Sequence, residues 1–188
     1  MERTKITVDQ RTTSDTNVRI YNSWFPTINL SYEMENSGSF QLGYSRRIRR
    51  PRSFFINPFP SRSSVTNIFQ GNPYLDPTFS NALDLGYLKR LKKFTFNSSV
   101  YYQKSNRVFT FIAEDTGETV FLNQDPNNPL STGVELPVIR RTPINLAENI
   151  RWGTEFNISF FPSRKIRFNG NFNFFNSETI GDYDGINY

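Results

Sequence analysis

The sequence contains no cysteine and no histidine. The first absence removes disulfides and thiol nucleophiles. The two together remove zinc sites of the Cys/His kind and every triad or general base built on His. Absence of cysteine does not fix a compartment, because a periplasm permits disulfides without requiring them. Charge of one sign is also scarce in excess: 22 basic residues face 17 acidic ones, for a net +5. That surplus is modest and local, so no nucleic-acid partner is expected. No stretch approaches the roughly 20 apolar residues of a membrane-spanning helix. The opening Met1-Glu2-Arg3-Thr4 leads into polar sequence rather than an export leader. Helical periodicity is almost absent.

Aromatic residues are plentiful, at 16% of the chain with 19 Phe and 9 Tyr. Hydrophobic residues make up 36% and the mean hydropathy is −0.56. Such an average suits a soluble protein. It also suits a transmembrane β-strand, where residues facing lipid alternate with residues facing a wet lumen. The aromatic load needs a packed core or a membrane-interface girdle.

Period-two alternation runs through most of the chain. Trp24, Pro26, Ile28, Leu30, Tyr32 and Met34 alternate with Phe25, Thr27, Asn29, Ser31 and Glu33. Glu35-Asn36-Ser37-Gly38 reads as a turn. Phe40, Leu42 and Tyr44 then alternate with Gln41, Gly43 and Ser45, which predicts an antiparallel hairpin. Residues 46–80 are rich in Arg, Pro, Ser and Asn and read as a long loop. Leu83, Leu85 and Tyr87 restore the alternation. Lys89-Arg90-Leu91-Lys92-Lys93 reads as a basic turn, and Phe94, Phe96, Ser98, Val100 and Tyr102 follow. Residues 111–143 read as a second long loop, marked by Gln124-Asp125-Pro126-Asn127-Asn128-Pro129. A short extended piece is expected at 119–122. The third pair has Ile150, Trp152, Thr154, Phe156, Ile158 and Phe160 on one face, then the turn Pro162-Ser163-Arg164-Lys165. Ile166, Phe168, Gly170, Phe172 and Phe174 complete it. The tail from 178 reads as polar and turn-like.

Strands are thus expected near 24–34, 39–48, 82–88, 94–109, 144–161 and 166–177. Most have about 10 residues, enough to cross a membrane when tilted. Short turns on one side and long loops on the other are the asymmetry of outer-membrane barrels. The expected fold is all-β: an antiparallel up-and-down transmembrane β-barrel segment of about six long strands, with short periplasmic turns and long extracellular loops. A soluble β-sandwich also alternates, but three features favour the barrel. The polar face is rich in Asn, Ser, Gln and Gly. Aromatics sit near strand ends, as at Trp24, Tyr44, Tyr87, Phe94 and Tyr102. Loop lengths alternate strictly between short and long.

An ordered set of motifs narrows this. Tyr44-Ser45-Arg46-Arg47-Ile48-Arg49-Arg50-Pro51 is followed by Asn57-Pro58-Phe59, then Gly71-Asn72-Pro73-Tyr74-Leu75-Asp76-Pro77, then Leu85-Gly86-Tyr87. Trp24-Phe25-Pro26, Pro143-Ile144-Asn145-Leu146 and Asp182-Tyr183-Asp184-Gly185 fit the same order. Over roughly residues 20–188 it resembles the barrel region of TonB-dependent receptors, especially the outer-membrane β-barrel family common in Bacteroidota. Asp76, Pro77 and Thr78 depart from that family's usual basic residue and Pro-Glu. The resemblance implies a place in the cell outer membrane and uptake of a scarce nutrient such as an iron chelate, glycan or peptide. It also implies a plug, a TonB contact and the rest of a barrel. No plug domain is visible in the sequence. Six strands fall short of the smallest bacterial barrels, which have about 8, so residues 1–188 are expected to form part of a barrel domain.

The residues singled out fall into two sets. The loop set is Arg46, Arg47, Arg49, Arg50, Pro51, Asn57, Pro58, Phe59, Gly71, Asn72, Pro73, Leu75 and Pro77. Its arginines have two readings, an anion-attracting mouth or a strand end fixed by lumenal carboxylates, and the second is preferred. Its prolines are expected to stiffen an extracellular loop. The membrane-facing set is Trp24, Ile28, Leu30, Tyr32, Phe40, Leu42, Tyr44, Leu83, Leu85, Tyr87, Phe94, Phe96, Val100, Tyr102, Trp152, Phe156, Ile158, Phe160, Phe168, Phe172 and Phe174, with outer-membrane lipid as its partner. The carboxylate pairs Asp115/Glu118 and Asp182/Asp184 lack any neighbouring nucleophile signature, so no enzyme, cofactor or metal is expected. A plugless pore or adhesin-like barrel, and a soluble or surface β-sheet binding module, are the alternatives.

Overall fold

A computed structural model describes residues 1–188 except 11–13, 36–37, 63, 123–132, 184–185 and 188. The expected turn residues Asn36 and Ser37, the segment 124–129, and Asp184 and Gly185 lie outside the described residues. The strands are β1 (Glu2–Gln10), β2 (Asp15–Ser23), β3 (Thr27–Met34), β4 (Gly38–Arg49), β5 (Ser61–Arg62), β6 (Asn67–Phe69), β7 (Thr78–Leu91), β8 (Phe94–Leu122), β9 (Val134–Ser163), β10 (Ile166–Tyr183) and β11 (Ile186–Asn187). One sheet runs β11-β10-β9-β8-β7-β4-β3 and curls into a half-barrel. The long strands β3, β4, β7, β8, β9 and β10 pair antiparallel in chain order, with β5 and β6 off this path, an up-and-down meander. Strands β1 and β2 form a separate hairpin. Among the described residues no helix is long and apolar enough to cross a membrane.

The alternating pattern is what builds this sheet. Opposed residues of antiparallel strands share a face, so the ladders can be followed across strands. One row reads Ile28, Tyr44, Leu83, Tyr102 and Trp152. The next reads Leu30, Leu42, Leu85, Val100, Thr154 and Phe174. Tyr32, Phe40, Tyr87, Ser98, Phe156 and Phe172 form a third. Towards the short turns come Lys89, Phe96 and Ile158, then Leu91, Phe94, Phe160 and Phe168. The opposite face carries Ser31, Gln41, Gly86, Ser99, Glu155 and Asn173 in one row. A one-residue slip would exchange the two faces, which fixes the register.

Several boundaries differ from the sequence reading. The short turns are tighter: β7 and β8 close over Lys92 and Lys93, with Leu91 opposite Phe94, and Ser163 opposes Ile166. Two residues suffice for a hairpin, so the basic segment 89–91 is strand. The strand expected over 24–34 is β3 and begins at Thr27. Trp24-Phe25-Pro26 is the junction where the chain leaves the β1–β2 hairpin for the main sheet. That hairpin escaped the sequence reading, although Ile6 with Val8 and Val18 with Ile20 carry a brief alternation.

Residues 111–143 depart most from the expected loop. Strands β8 and β9 continue through most of this segment as a paired ladder, from Phe109 opposite Asn145 to Leu122 opposite Val134. Alternation is lost there because neither face needs to be apolar, yet Thr, Val, Phe and Ile keep the extended backbone favourable. Pro137 and Pro143 lie within β9 and lack a backbone N–H. Both sit where β9 has a strand neighbour on one side only, so the missing N–H costs no ladder bond. A bulge near Ser105–Val108, with Arg107 at φ 58°, marks where the extension begins. The tail from 178 is likewise strand, since Glu178 to Gly181 pair with Ile150 to Ala147.

Candidate functional site

The long-loop end of the sheet holds the only cluster of fully packed side chains among the described residues. Segment 50–77, between β4 and β7, wraps the extended β8–β9 hairpin. Strand β6 adds to the free edge of β9 in parallel, with Asn67, Ile68 and Phe69 opposite Ile139, Arg140 and Arg141. The 3₁₀ turn Ser53–Phe55 brings Phe55 against Phe109 and Phe111, with ring centroids 5.4 Å apart in both cases. Phe69 joins Phe111 at 6.2 Å. Guanidinium groups cap these rings, Arg49 at 5.0 Å from Phe109 and Arg141 at 5.7 Å from Phe111.

The segment is locked by backbone contacts that only particular residues permit. Gly71 is buried, and a Cβ there would lie 2.4 Å from the Asn57 carbonyl oxygen and 2.7 Å from that of Phe55. Asn72 donates from its backbone N–H to the Phe55 carbonyl at 2.7 Å and from Nδ2 to the Pro143 carbonyl at 3.2 Å. Its Oδ1 accepts from the Tyr74 N–H at 2.9 Å. Leu75 is 2% exposed. Asn145 accepts the Asp76 N–H and donates to the carbonyls of Asp76 and Arg107. The Asp76 carboxylate bridges Arg19 of β2 to Arg107 of β8. Pro58 accepts a hydrogen bond from Gln70 Nε2, Asn57 Oδ1 takes the Phe59 N–H, and Pro77 is buried.

The loop arginines divide by face. Arg47 opposes Ser80 on the polar face. Arg46 lies on the apolar-face side, with its guanidinium 5.2 Å from the Phe79 ring. Arg50 pairs with Glu2 of β1. Their described partners are therefore aromatic rings and the first hairpin rather than lumenal carboxylates. Pro51, Pro73 and Phe59 belong to the same wrapped segment, and Phe59 stays exposed. Of the carboxylates considered for acid/base work, Asp115 accepts the Gly117 N–H in a local bulge and Glu118 pairs with Arg62. Both have structural partners.

Below this platform the two faces of the sheet separate by chemistry. On the polar face Asn29, Ser31, Gln41, Asp84, Asn97 and Ser99 line a shallow depression of about 500 Å³. Gly153 has room for no side chain: a Cβ would meet the Phe174 carbonyl at 2.5 Å and the Tyr101 hydroxyl at 2.7 Å. Tyr101 lies across it and donates to Asn173 Oδ1 at 3.3 Å, tying three strands together. On the apolar face the large side chains stand free, with Leu30 60% exposed, Trp152 55% and Phe174 62%. Trp24 is likewise exposed. Within the face, Phe40 meets Tyr87 at 5.0 Å and Phe160 stacks on Phe168 at 6.5 Å. Soluble monomers rarely leave so extensive a patch bare. From the Leu83 row to the Leu91 row the strand rises about 27 Å, or about 20 Å once tilted. That is close to the roughly 25 Å apolar band of outer-membrane barrels. Above the band, a hydrogen bond from Lys104 to Glu148 holds the Lys104 ammonium above its ordinary pKa of 10.5.

Residues 1–188 match the model of the outer membrane protein beta-barrel family over their whole length. The chain belongs to this family. Its place is the cell outer membrane. The siderophore receptor PirA from Acinetobacter baumannii shares the fold, with a TM-score of 0.57 at 16% identity over 85% of this chain and 23% of that one. The copper transporter OprC does so with a TM-score of 0.54 at 14% identity, over 88% of this chain and 22% of that one. The chain thus spans less than a quarter of either solved barrel. No curated protein matches the sequence. For a family member, the end bearing the wrapped loop and long hairpins is extracellular and the two-residue turns are periplasmic.

Proposed function

We propose that this chain is a wall segment of a TonB-dependent receptor of the Bacteroidota type, taking up an iron chelate, a glycan or a peptide. One observation carries the reading: a polar inner wall lies below a rigid extracellular platform of loop and hairpin. A passive pore needs the wall but not a platform locked by Gly71, Asn72 and Asn145. The role is binding and passage, with no catalytic step. The edges at β3 and β10 pair with further strands of the same barrel, since unpaired edges and a bare apolar face would aggregate. The membrane-facing set meets lipid, a plug fills the lumen, and TonB supplies the driving contact.

Uptake assays in the source organism test this. Cells lacking the gene are expected to lose growth on one such nutrient at limiting concentration. Cells lacking TonB are expected to lose the same uptake while the barrel remains in the membrane. Uptake that persists without TonB and falls in proportion to external concentration would mark a plugless pore instead.

A further inference from the structure

Among the described residues, three buried side-chain polar atoms lack a hydrogen-bond partner: Tyr21 OH, Arg46 Nε and Asn106 Oδ1. All three residues line one cleft of about 400 Å³, the size of a small-ligand site. Buried polar groups are nearly always paired, so three orphans at one place call for a ligand or ordered water. The cleft forms where the end of β2 lies against Arg46, Phe79, Asn81 and Asn106 of the main sheet. Arg46 opposes Asn81, and Phe79 opposes Asn106, which places them on adjacent rows.

The charge at the cleft is one-sided. Arg46 and Arg107 line it beside Asp76. The Asp76 carboxylate is already shared between Arg19 and Arg107, so guanidinium groups outnumber carboxylates. Arg46 is held in place by its backbone N–H, which donates to the Pro26 carbonyl at 3.0 Å, and by the Phe79 ring. A fixed guanidinium suits an oxyanion such as phosphate. The Tyr21 hydroxyl and the Asn81 and Asn106 amides offer donors and acceptors of the kind that sugar hydroxyls need.

We propose that this cleft binds a phosphorylated sugar, and that its source is the head group of an outer-leaflet lipid. Position argues for the lipid: Arg46 and Asn81 stand on the apolar-face side, one register step beyond Tyr44 and Leu83. The cleft therefore opens at the extracellular border of the apolar band. The lipid source rests on the reading that this face meets lipid. The phosphosugar chemistry does not, and neither depends on transport.

The test uses the protein extracted from outer membranes in detergent. It is titrated calorimetrically with lipid A, with dephosphorylated lipid A and with soluble glucosamine 6-phosphate. Wild-type protein is expected to bind lipid A, and loss of the phosphates to abolish most of that binding. Arg46→Gln is expected to weaken it by about tenfold or more, and Tyr21→Phe by several-fold. Heat-dependent gel mobility checks that each variant is folded, and Tyr21→Phe carries the test alone should Arg46→Gln misfold. Equal binding of soluble glucosamine 6-phosphate would keep the chemistry and overturn the lipid source. Binding of neither phosphorylated probe, or equal binding by folded variants, would mean a cleft filled by water only and would overturn the proposal.

Discussion

Leu85→Arg is expected to destabilise the folded protein by about 1–3 kcal/mol, the cost of a cation facing lipid between the border and the middle of a barrel wall. Leu85 sits inside the apolar face, between Leu42 and Val100 on its row and one row in from Leu83 and Tyr102. It is 51% exposed, so a soluble protein would accept the arginine with little change. Ser99→Arg provides the contrast. Ser99 opposes Gly86 on the polar face, where an arginine reaches water. Urea unfolding in phospholipid vesicles is the measurement. A large loss for Leu85→Arg with a small one for Ser99→Arg is the expected result, and equal effects would count against the two-faced wall.

Gly71→Ala should be the most damaging small change in the extracellular platform. Its new methyl group would meet three backbone atoms within 2.8 Å, the Asn57 oxygen and nitrogen and the Phe55 oxygen. Backbone cannot rotate aside as a side chain can. Overpacking of this kind costs about 1–3 kcal/mol. The segment 50–77 would then detach from the hairpin and free the backbone around the already exposed Arg52 and Arg62 to enter the trypsin site. Gly43→Ala is the control, because its nearest contact is 3.4 Å away. Limited proteolysis of intact cells should show faster cleavage near Arg62 for Gly71→Ala alone. Cleavage at wild-type rates would mean that the loop is not held by that contact.

The parts of the molecule that were legible in the sequence share one cause. A wall between lipid and water must alternate, so the cores of the six long strands appear as period two in residues such as Leu83, Leu85 and Tyr87. Outside the membrane both faces are wet and the constraint disappears. The outer halves of β8 and β9 are therefore paired strands with no period, and Pro137 and Pro143 disguise them further. The wrapping of segment 50–77 was not legible because its fasteners are distant in sequence: Asn72 with Pro143, Asp76 with Asn145. Of the loop motif, Gly71 and Leu75 are buried and Asn72 is hydrogen-bonded where the segment meets the hairpin. The cleft was invisible for the same reason, because Tyr21, Arg46 and Asn106 come from three separate strands.

In this sheet one face is expected to meet lipid and the other water. The most direct test exploits the lack of cysteine, which makes an introduced thiol unique within these 188 residues. Spin labels are attached one at a time to cysteines replacing residues 82–88 of β7, in protein reconstituted into bilayers. Collision with dissolved oxygen and with a water-soluble nickel chelate is then compared. Labels at 83, 85 and 87 should favour oxygen, and labels at 82, 84, 86 and 88 should favour nickel. Uniform nickel access along the strand, or an alternation of the opposite phase, would contradict the account.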